Sequence, residues 1–200
     1  MNHMFSRNIP GITDILLSSS VGIAGCGGLG SHVADSLTRA GTGKLVIADY
    51  DRVELSNLNR QLYFRKDVGR LKAEVLRERL LDIRPDMQVE ICCEKLTGNN
   101  VSDVFADTHI LVEAFDTPEN KRMLVEEWMH SFPKKNIVSA SGLGGAGRLN
   151  DISVTCKSNL YICGDGKSDM SLGLSAGRVA VVANMQAEVV ISLLAGKEVM

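Results

Sequence analysis

The chain has 200 residues, 44% of them hydrophobic and 23% charged, which is the composition of an ordinary globular protein and gives no indication of disorder. Its length fits one domain. The net charge of −2 gives no broad attraction to polyphosphate, so nucleic acid is not expected as a partner.

The first half of the chain alternates strand-like and helical patterns. Residues 20–24 form a short apolar run that ends in glycines, and residues 29–40 repeat apolar residues at helical spacing. Residues 44–49 form a second β-branched run. This order predicts a strand, a tight turn, a helix and a second strand. After a polar stretch, residues 71–83 resume the helical pattern until Pro85 prevents its continuation.

The second half continues the alternation. It predicts a strand, a short helix, a strand, a helix and a strand, in that order, over residues 87–93, 101–105, 109–113, 117–130 and 137–141. A glycine-rich segment, a β-hairpin and a closing helix follow, the last two over residues 152–156, 160–163 and 175–194. We therefore expect an α/β fold with a Rossmann-like, doubly wound, mostly parallel sheet and a C-terminal antiparallel extension. Ligands of such folds bind beyond the carboxyl ends of the strands.

The closing helix and the N-terminus bear on localisation. Residues 179–194 are nearly apolar, but Asn184, Gln186 and Glu188 interrupt them, so no membrane span is expected. Residues 1–10 lack the basic start and apolar segment of a secretory signal, which predicts a cytoplasmic protein.

A glycine motif lies between the first predicted strand and its helix. Gly25, Gly27 and Gly30 form the pattern G-x-G-x-x-G, with Gly28 in the same loop. Missing side chains let backbone N–H groups and a helix N-terminus approach phosphate. Alone, the motif leaves NAD, FAD, S-adenosylmethionine and ATP open. Asp49 ends the second strand, at a position where a carboxylate accepts hydrogen bonds from ribose hydroxyls. The alternative is that Asp49 is only a solvated strand end.

The sequence after the second strand carries a more specific signal. Residues 49–61 read DYDRVELSNLNRQ, residues 69–73 read GRLKA, and residues 25–31 read GCGGLGS. Together they resemble the ThiF/MoeB/HesA adenylyltransferases and the adenylation half of ubiquitin-activating enzymes, most closely the short ThiF-type proteins of thiamine biosynthesis. The resemblance implies one adenylation domain over residues 1–200. Its nucleotide-binding core spans residues 20–142, and residues 143–200 form a carrier-docking hairpin and the closing helix.

The resemblance also implies roles for charged residues. Arg60 and Lys72 would contact the phosphates of ATP, where they stabilise the negative charge that develops when a carboxylate attacks the α-phosphate. Asp116 would lie near bound Mg²⁺, which needs few protein carboxylates because it bridges phosphates and keeps waters. Surface cations are the alternative for Arg60 and Lys72, and a helix N-cap is the alternative for Asp116.

Further residues are implied with competing local roles. Asn57 would hydrogen-bond the nucleotide and Gln61 would orient the loop, and we include Asp51 in the same nucleotide site. Local turn caps are the alternative for Asn57 and Gln61. Arg7 resembles an arginine that family members lend to a dimer partner's site, with a flexible tail as its alternative. Relatives are commonly homodimers, so we expect a homodimer.

The cysteines limit metal and covalent chemistry. Larger relatives bind structural zinc through Cys-x-x-Cys pairs, and this chain has no such pair, so we predict no zinc. Its odd number of cysteines, five, predicts free thiols. Cys163 is the best candidate for a covalent acceptor of the activated carrier, and a small buried residue at a strand end is the reading that we favour.

The expected function is therefore ATP- and Mg²⁺-dependent adenylylation of the C-terminal glycine carboxylate of a ubiquitin-like sulfur carrier protein, similar to ThiS, with release of pyrophosphate. A carrier of the molybdopterin or cysteine pathway is one alternative, and a nucleotide-binding scaffold without turnover is another. A third alternative is an NAD-dependent oxidoreductase. It explains the glycines and Asp49 but leaves Arg60, Lys72 and Asp116 without a role.

Overall fold

The computed structural model describes residues 3–200. Strands and helices alternate as expected. The strands are β1 (Ser20–Ala24), β2 (Lys44–Ala48), β3 (Gln88–Cys92), β4 (Ile110–Glu113), β5 (Asn136–Ala140), β6 (Ser153–Lys157) and β7 (Leu160–Gly164). The α-helices are α1 (Ile12–Leu17), α2 (Gly28–Ala40), α3 (Lys72–Ile83), α4 (Val101–Phe105), α5 (Pro118–Ser131) and α6 (Ala176–Leu194).

The strands form one sheet in the order β3-β2-β1-β4-β5-β7-β6. All neighbouring pairs are parallel except β6 and β7, which form the antiparallel hairpin at one edge. This confirms the predicted fold class. Strand order reverses at β1, where Ile23 is paired with Ile47 of β2 on one side and Val112 of β4 on the other. Ligands of doubly wound sheets bind at such a reversal.

Two apolar cores cover the two faces of the sheet. One joins the sheet to α2, α3 and α6, and the other joins it to α4 and α5 around Phe105 and Trp128. By length and composition α6 would be able to cross a membrane, but here it packs along α2 and buries Val182 and Val190. The nearly apolar composition of α6 thus reflects its place in the core.

The structure differs from the sequence prediction mainly at the N-terminus. Helix α1 was not predicted, and its six residues are too few to show a clear helical period. It begins after Gly11, whose φ of +82° is the left-handed conformation that glycine adopts without strain. The other predicted elements lie within two residues of their observed bounds.

Candidate functional site

A cleft opens beyond the carboxyl ends of β1, β2 and β4. It spans about 1060 Å³, a volume that includes space open to solvent. The predicted site residues in its lining are Gly25, Gly27, Gly28, Asp49, Asp51, Arg60, Gln61, Lys72 and Asp116. Gly30 and Asn57 lie outside the lining. The fold thus brings most of the predicted residues, which come from separate segments, into one cavity.

The glycine loop is shaped by contacts that exclude side chains. Gly25 has a φ of +99°, and a Cβ atom there would lie 2.8 Å from the carbonyl oxygen of Ala114. A Cβ on Gly30 would lie 1.8 Å from the carbonyl oxygen of Gly25, so Gly30 lets α2 fold tightly against the loop. Gly27 is different, because its Cβ would meet only Gln61 Nε2, at 3.7 Å. Gly27 therefore leaves its backbone open to the cleft.

The start of α2 suits an anion. Gly27 is the N-cap, no side chain caps the helix, and no acidic residue lies in its first turn. The first backbone N–H groups of a helix lack partners within the helix and carry a partial positive charge. Such a helix start binds phosphate without the help of a side chain.

Asp49 fixes the loop to the end of β2. Its Oδ2 accepts the N–H of Cys26 at 2.6 Å, and its Oδ1 accepts the N–H of Asp51 at 2.8 Å. Burial raises the pKa of Asp49, while these hydrogen bonds and the nearby Lys72 oppose the rise. A carboxylate oxygen can accept more than one hydrogen bond, so Asp49 keeps acceptor capacity for a ribose hydroxyl.

The two predicted cations differ in their surroundings. Lys72 is buried at the start of α3, and its Nζ lies 2.9 Å from Asp51 Oδ2. Arg60 is half-buried and donates to the uncharged oxygens Asn59 Oδ1 at 2.7 Å and Ser56 O at 3.3 Å. The charge of Arg60 is therefore available to an anion in the cleft.

Gln61 and Asn57 take different roles although they are close in sequence. Gln61 is 8% exposed, and its Oε1 has no hydrogen-bond partner. An unpartnered buried amide is costly, and a polar ligand in the cleft would satisfy it. Asn57 Oδ1 instead accepts the N–H of Glu54 at 3.0 Å and so caps its own turn. That is the local role that the sequence left open for Asn57.

Asp116 is exposed and lines the cleft. It does not cap α5, because the N-cap is Thr117, which itself makes no side-chain cap bond. One accessible carboxylate beside a phosphate site fits Mg²⁺, which keeps most of its waters. Over residues 3–200, no cluster of three or more His, Cys, Asp or Glu side chains forms a metal cage.

The ion pair of Glu113 and Lys121 beside the cleft was not predicted from the sequence. Glu113, at the end of β4, is fully buried, and its carboxylate binds the Lys121 ammonium at 2.9 Å and the Ser139 hydroxyl at 2.6 Å. Its Oε1 also accepts the N–H of Phe115 at 2.7 Å. Lys121 lines the cleft. The sequence marks Glu113 alone, as the one charged residue of an otherwise apolar strand, and gives no sign of its contact with Lys121.

The remaining candidates lie away from the cleft or are unreactive. Cys163 is buried, and loss of solvation raises its pKa to about 12, so its thiol stays protonated near neutral pH. Cys26 is buried in the glycine loop and its pKa is raised for the same reason. Arg7 is exposed and outside the cleft lining.

The fold and the cleft define a nucleotide-binding protein of the doubly wound α/β class, with cations placed for a polyphosphate. Residues 4–200 match the sequence profile of the ThiF family, so the chain belongs to that family. It is therefore an ATP-using adenylyltransferase, which confirms the family, the fold class and the enzyme class expected from the sequence.

Relatives within the family act on different molecules. The sulfur carrier protein ThiS adenylyltransferase of Escherichia coli is 32% identical over 190 residues, which cover 92% of this chain and 75% of that protein. The tRNA threonylcarbamoyladenosine dehydratase of Bacillus subtilis is 32% identical over 157 residues, 75% of this chain and 60% of that protein. The E. coli dehydratase TcdA in complex with ATP has a TM-score of 0.85 at 22% identity, over 92% of this chain and 89% of that one, which shows the shared fold.

Proposed function

We propose that the protein adenylylates the C-terminal carboxylate of a small, glycine-terminated, ubiquitin-like sulfur carrier protein. A carboxylate oxygen attacks the α-phosphorus of ATP, a new phosphorus–oxygen bond forms, and the bond to pyrophosphate breaks. The products are an acyl-adenylate and pyrophosphate. The observation that carries this proposal is the convergence of Arg60 and Lys72 on the cleft beside the open backbone at Gly27.

The roles of the residues follow from their surroundings. Arg60 and Lys72 stabilise the charge on the reacting phosphoryl group and on departing pyrophosphate. Asp49 accepts a hydrogen bond from a ribose hydroxyl. Asp116 would hold Mg²⁺, which would neutralise part of the negative charge of the phosphates. Hydride transfer in an NAD-dependent oxidoreductase builds up no phosphoryl charge and leaves Arg60 and Lys72 without a catalytic role, so we favour phosphoryl chemistry.

We infer the carrier and the pathway from the relatives of the chain, and the docking surface from the apolar residues beside the cleft. The E. coli relative is by name an adenylyltransferase of the sulfur carrier protein ThiS, which supports a role in thiamine biosynthesis here. Residues 143–173 supply the docking surface, because Leu143 and Met170 line the cleft beside Leu174, and Leu172 is 67% exposed nearby. We infer that the enzyme works in the cytoplasm as a single-domain homodimer, with Arg7 contributing to the site of the second copy, and without zinc.

A second candidate is activation of a carboxylate on modified tRNA. The relative from B. subtilis supports it, because its identity to this chain equals that of the thiamine enzyme. The net charge of −2 argues against it, since tRNA binding depends on neutralising phosphates with cations. We therefore rank the carrier protein first.

Pyrophosphate exchange tests the proposal. The protein is incubated with ATP, Mg²⁺, labelled pyrophosphate and one partner at a time: the ThiS-like carrier of the source organism, the same carrier without its last glycine, or threonylcarbamoyladenosine-containing tRNA. We expect label to enter ATP only with the intact carrier, and mass spectrometry to show a carrier that has gained one AMP. Exchange with the tRNA alone would establish the second candidate. Exchange with neither partner would contradict both.

A further inference from the structure

Lys121 brings a cation into the cleft from the other side of the strand reversal. Arg60 and Lys72 belong to the chain that follows β2, whereas Lys121 lies on α5, which follows β4. Strands β2 and β4 flank β1 on opposite sides. The glycine loop, which follows β1, therefore lies between Lys121 and the pair formed by Arg60 and Lys72.

The ammonium of Lys121 is held in a fixed place. Its Nζ donates to both carboxylate oxygens of Glu113, at 2.9 and 3.1 Å. Glu113 is fixed in turn by the hydroxyl of Ser139 on β5 and the N–H of Phe115. An ammonium has three donors, so these contacts leave one N–H for a ligand. The Lys121 side chain is 22% exposed, on the cleft.

The position of Lys121 is electrostatically unusual. The backbone N–H of Lys121 donates to Thr117 O, so Lys121 lies in the first turn of α5. A cation is disfavoured there, because the helix dipole is positive at this end. Buried Glu113 offsets that cost. The remaining N–H of the ammonium is thus the donor that Lys121 offers to an anion on this side of the cleft.

We propose that Lys121 binds the reacting carboxylate of the substrate, and that Glu113 and Ser139 are positioning residues that hold Lys121 in place. This rests on the proposed function. A carboxylate that approaches a triphosphate is repelled by it, and Arg60 and Lys72 on the opposite side are occupied by the phosphates. Lys121 lies across the glycine loop from those two cations, where its ammonium can receive the carboxylate.

The test compares binding of two forms of the carrier. One ends in a free carboxylate and the other in a carboxamide, and the dissociation constant of each is measured with a non-hydrolysable ATP analogue present. We expect the wild-type enzyme to prefer the carboxylate at least tenfold. Lys121→Met should lose this preference while binding the ATP analogue within twofold of wild type, and Lys121→Arg should retain it.

Controls separate recognition from stability. Lys135→Met removes another lysine with two hydrogen bonds, from Nζ to Ala106 O and Thr108 O, and should leave the preference unchanged. Glu113→Gln combined with Lys121→Met removes both charges, so no carboxylate is left buried without a partner. This double variant should also lose the preference.

Each outcome decides between the claims. If Lys121→Met or the double variant keeps the wild-type preference while wild-type exchange proceeds, the inference on Lys121 is overturned and the proposed function stands. If the wild-type enzyme neither binds the carrier nor shows carrier-dependent exchange, the proposed function fails, and the role of Lys121 falls with it.

Discussion

Arg178 Nη2 lies 2.6 Å from Asp165 Oδ2, and this ion pair ties α6 to the turn after β7. Arg178 Nη1 also donates to Gly147 O at 2.7 Å, in the glycine-rich segment after β5. The side chains of Arg178 and Asp165 are both largely buried. One guanidinium thus holds the two segments from which Leu143 and Leu174 reach the cleft.

Asp165→Asn should lower the free energy of unfolding by about 3 kcal/mol, because it leaves the Arg178 charge buried without its partner. Urea denaturation followed by circular dichroism measures the change. Asp169→Asn is the control, because Asp169 is exposed and its carboxylate accepts local hydrogen bonds from Ser171. Equal midpoints for the two variants would contradict the role given to the ion pair.

The lowered pKa of Asp165 predicts that the stability of the protein depends on pH. Hydrogen bonds from the N–H groups of Ser168 and Lys167, together with Arg178, lower the pKa of Asp165 to about 2. Its stabilisation is therefore complete above the unfolded pKa of about 3.9 and is lost as the pH falls towards 2. We expect the difference in melting temperature between wild type and Asp165→Asn to be large at pH 6 and to shrink below pH 4. A constant difference across this range would rule out the linkage.

Arg60→Ala and Lys72→Met should each reduce carrier-dependent pyrophosphate exchange by roughly 100-fold, because each removes a preorganised charge from the reacting phosphates. Arg65→Ala, an exposed arginine on the same connecting segment, should change the rate little. The readout is the initial exchange rate at saturating ATP. Unchanged exchange in Arg60→Ala would leave the catalytic proposal without its central residue.

Alanine substitutions in the glycine loop should separate folding from binding. Gly30→Ala should destabilise the fold, since its Cβ would overlap the carbonyl oxygen of Gly25 at 1.8 Å. Gly27→Ala should fold normally, because its Cβ has room, yet weaken ATP binding by roughly tenfold by covering the open backbone. Thermal melts and calorimetric ATP titrations measure the two effects. Equal losses of stability in both variants would disprove the distinction.

Cys163→Ala should leave both carrier adenylylation and the subsequent loading of sulfur unchanged. The buried thiol, with its pKa raised to about 12, is not a nucleophile near neutral pH. Iodoacetamide at pH 7.5 should modify exposed Cys156 and spare Cys163 in the folded protein, which peptide mass spectrometry detects. Rapid alkylation of Cys163, or lost sulfur loading in the alanine variant, would instead indicate a covalent role.

Local patterns predicted the elements that position the glycine loop, and interactions between distant elements account for what the sequence did not reveal. The unit from β1 to β2 combines clear strand and helix periods with turn glycines. The contact of Lys121 with Glu113 and Ser139 exists only once α5, β4 and β5 pack together, so no local pattern marks it. Asn57 shows the opposite case, because its side chain is used within its own turn.

The place of Trp128 has an optical consequence. It is the single tryptophan of the chain, it is fully buried between α5 and the sheet, and its Nε1 donates to Asn136 O at 3.2 Å. The tryptophan fluorescence of the protein therefore comes from one site shielded from water, on the face of the sheet opposite α2 and α6. A red shift of this emission would follow the entry of water into that layer without any attached dye.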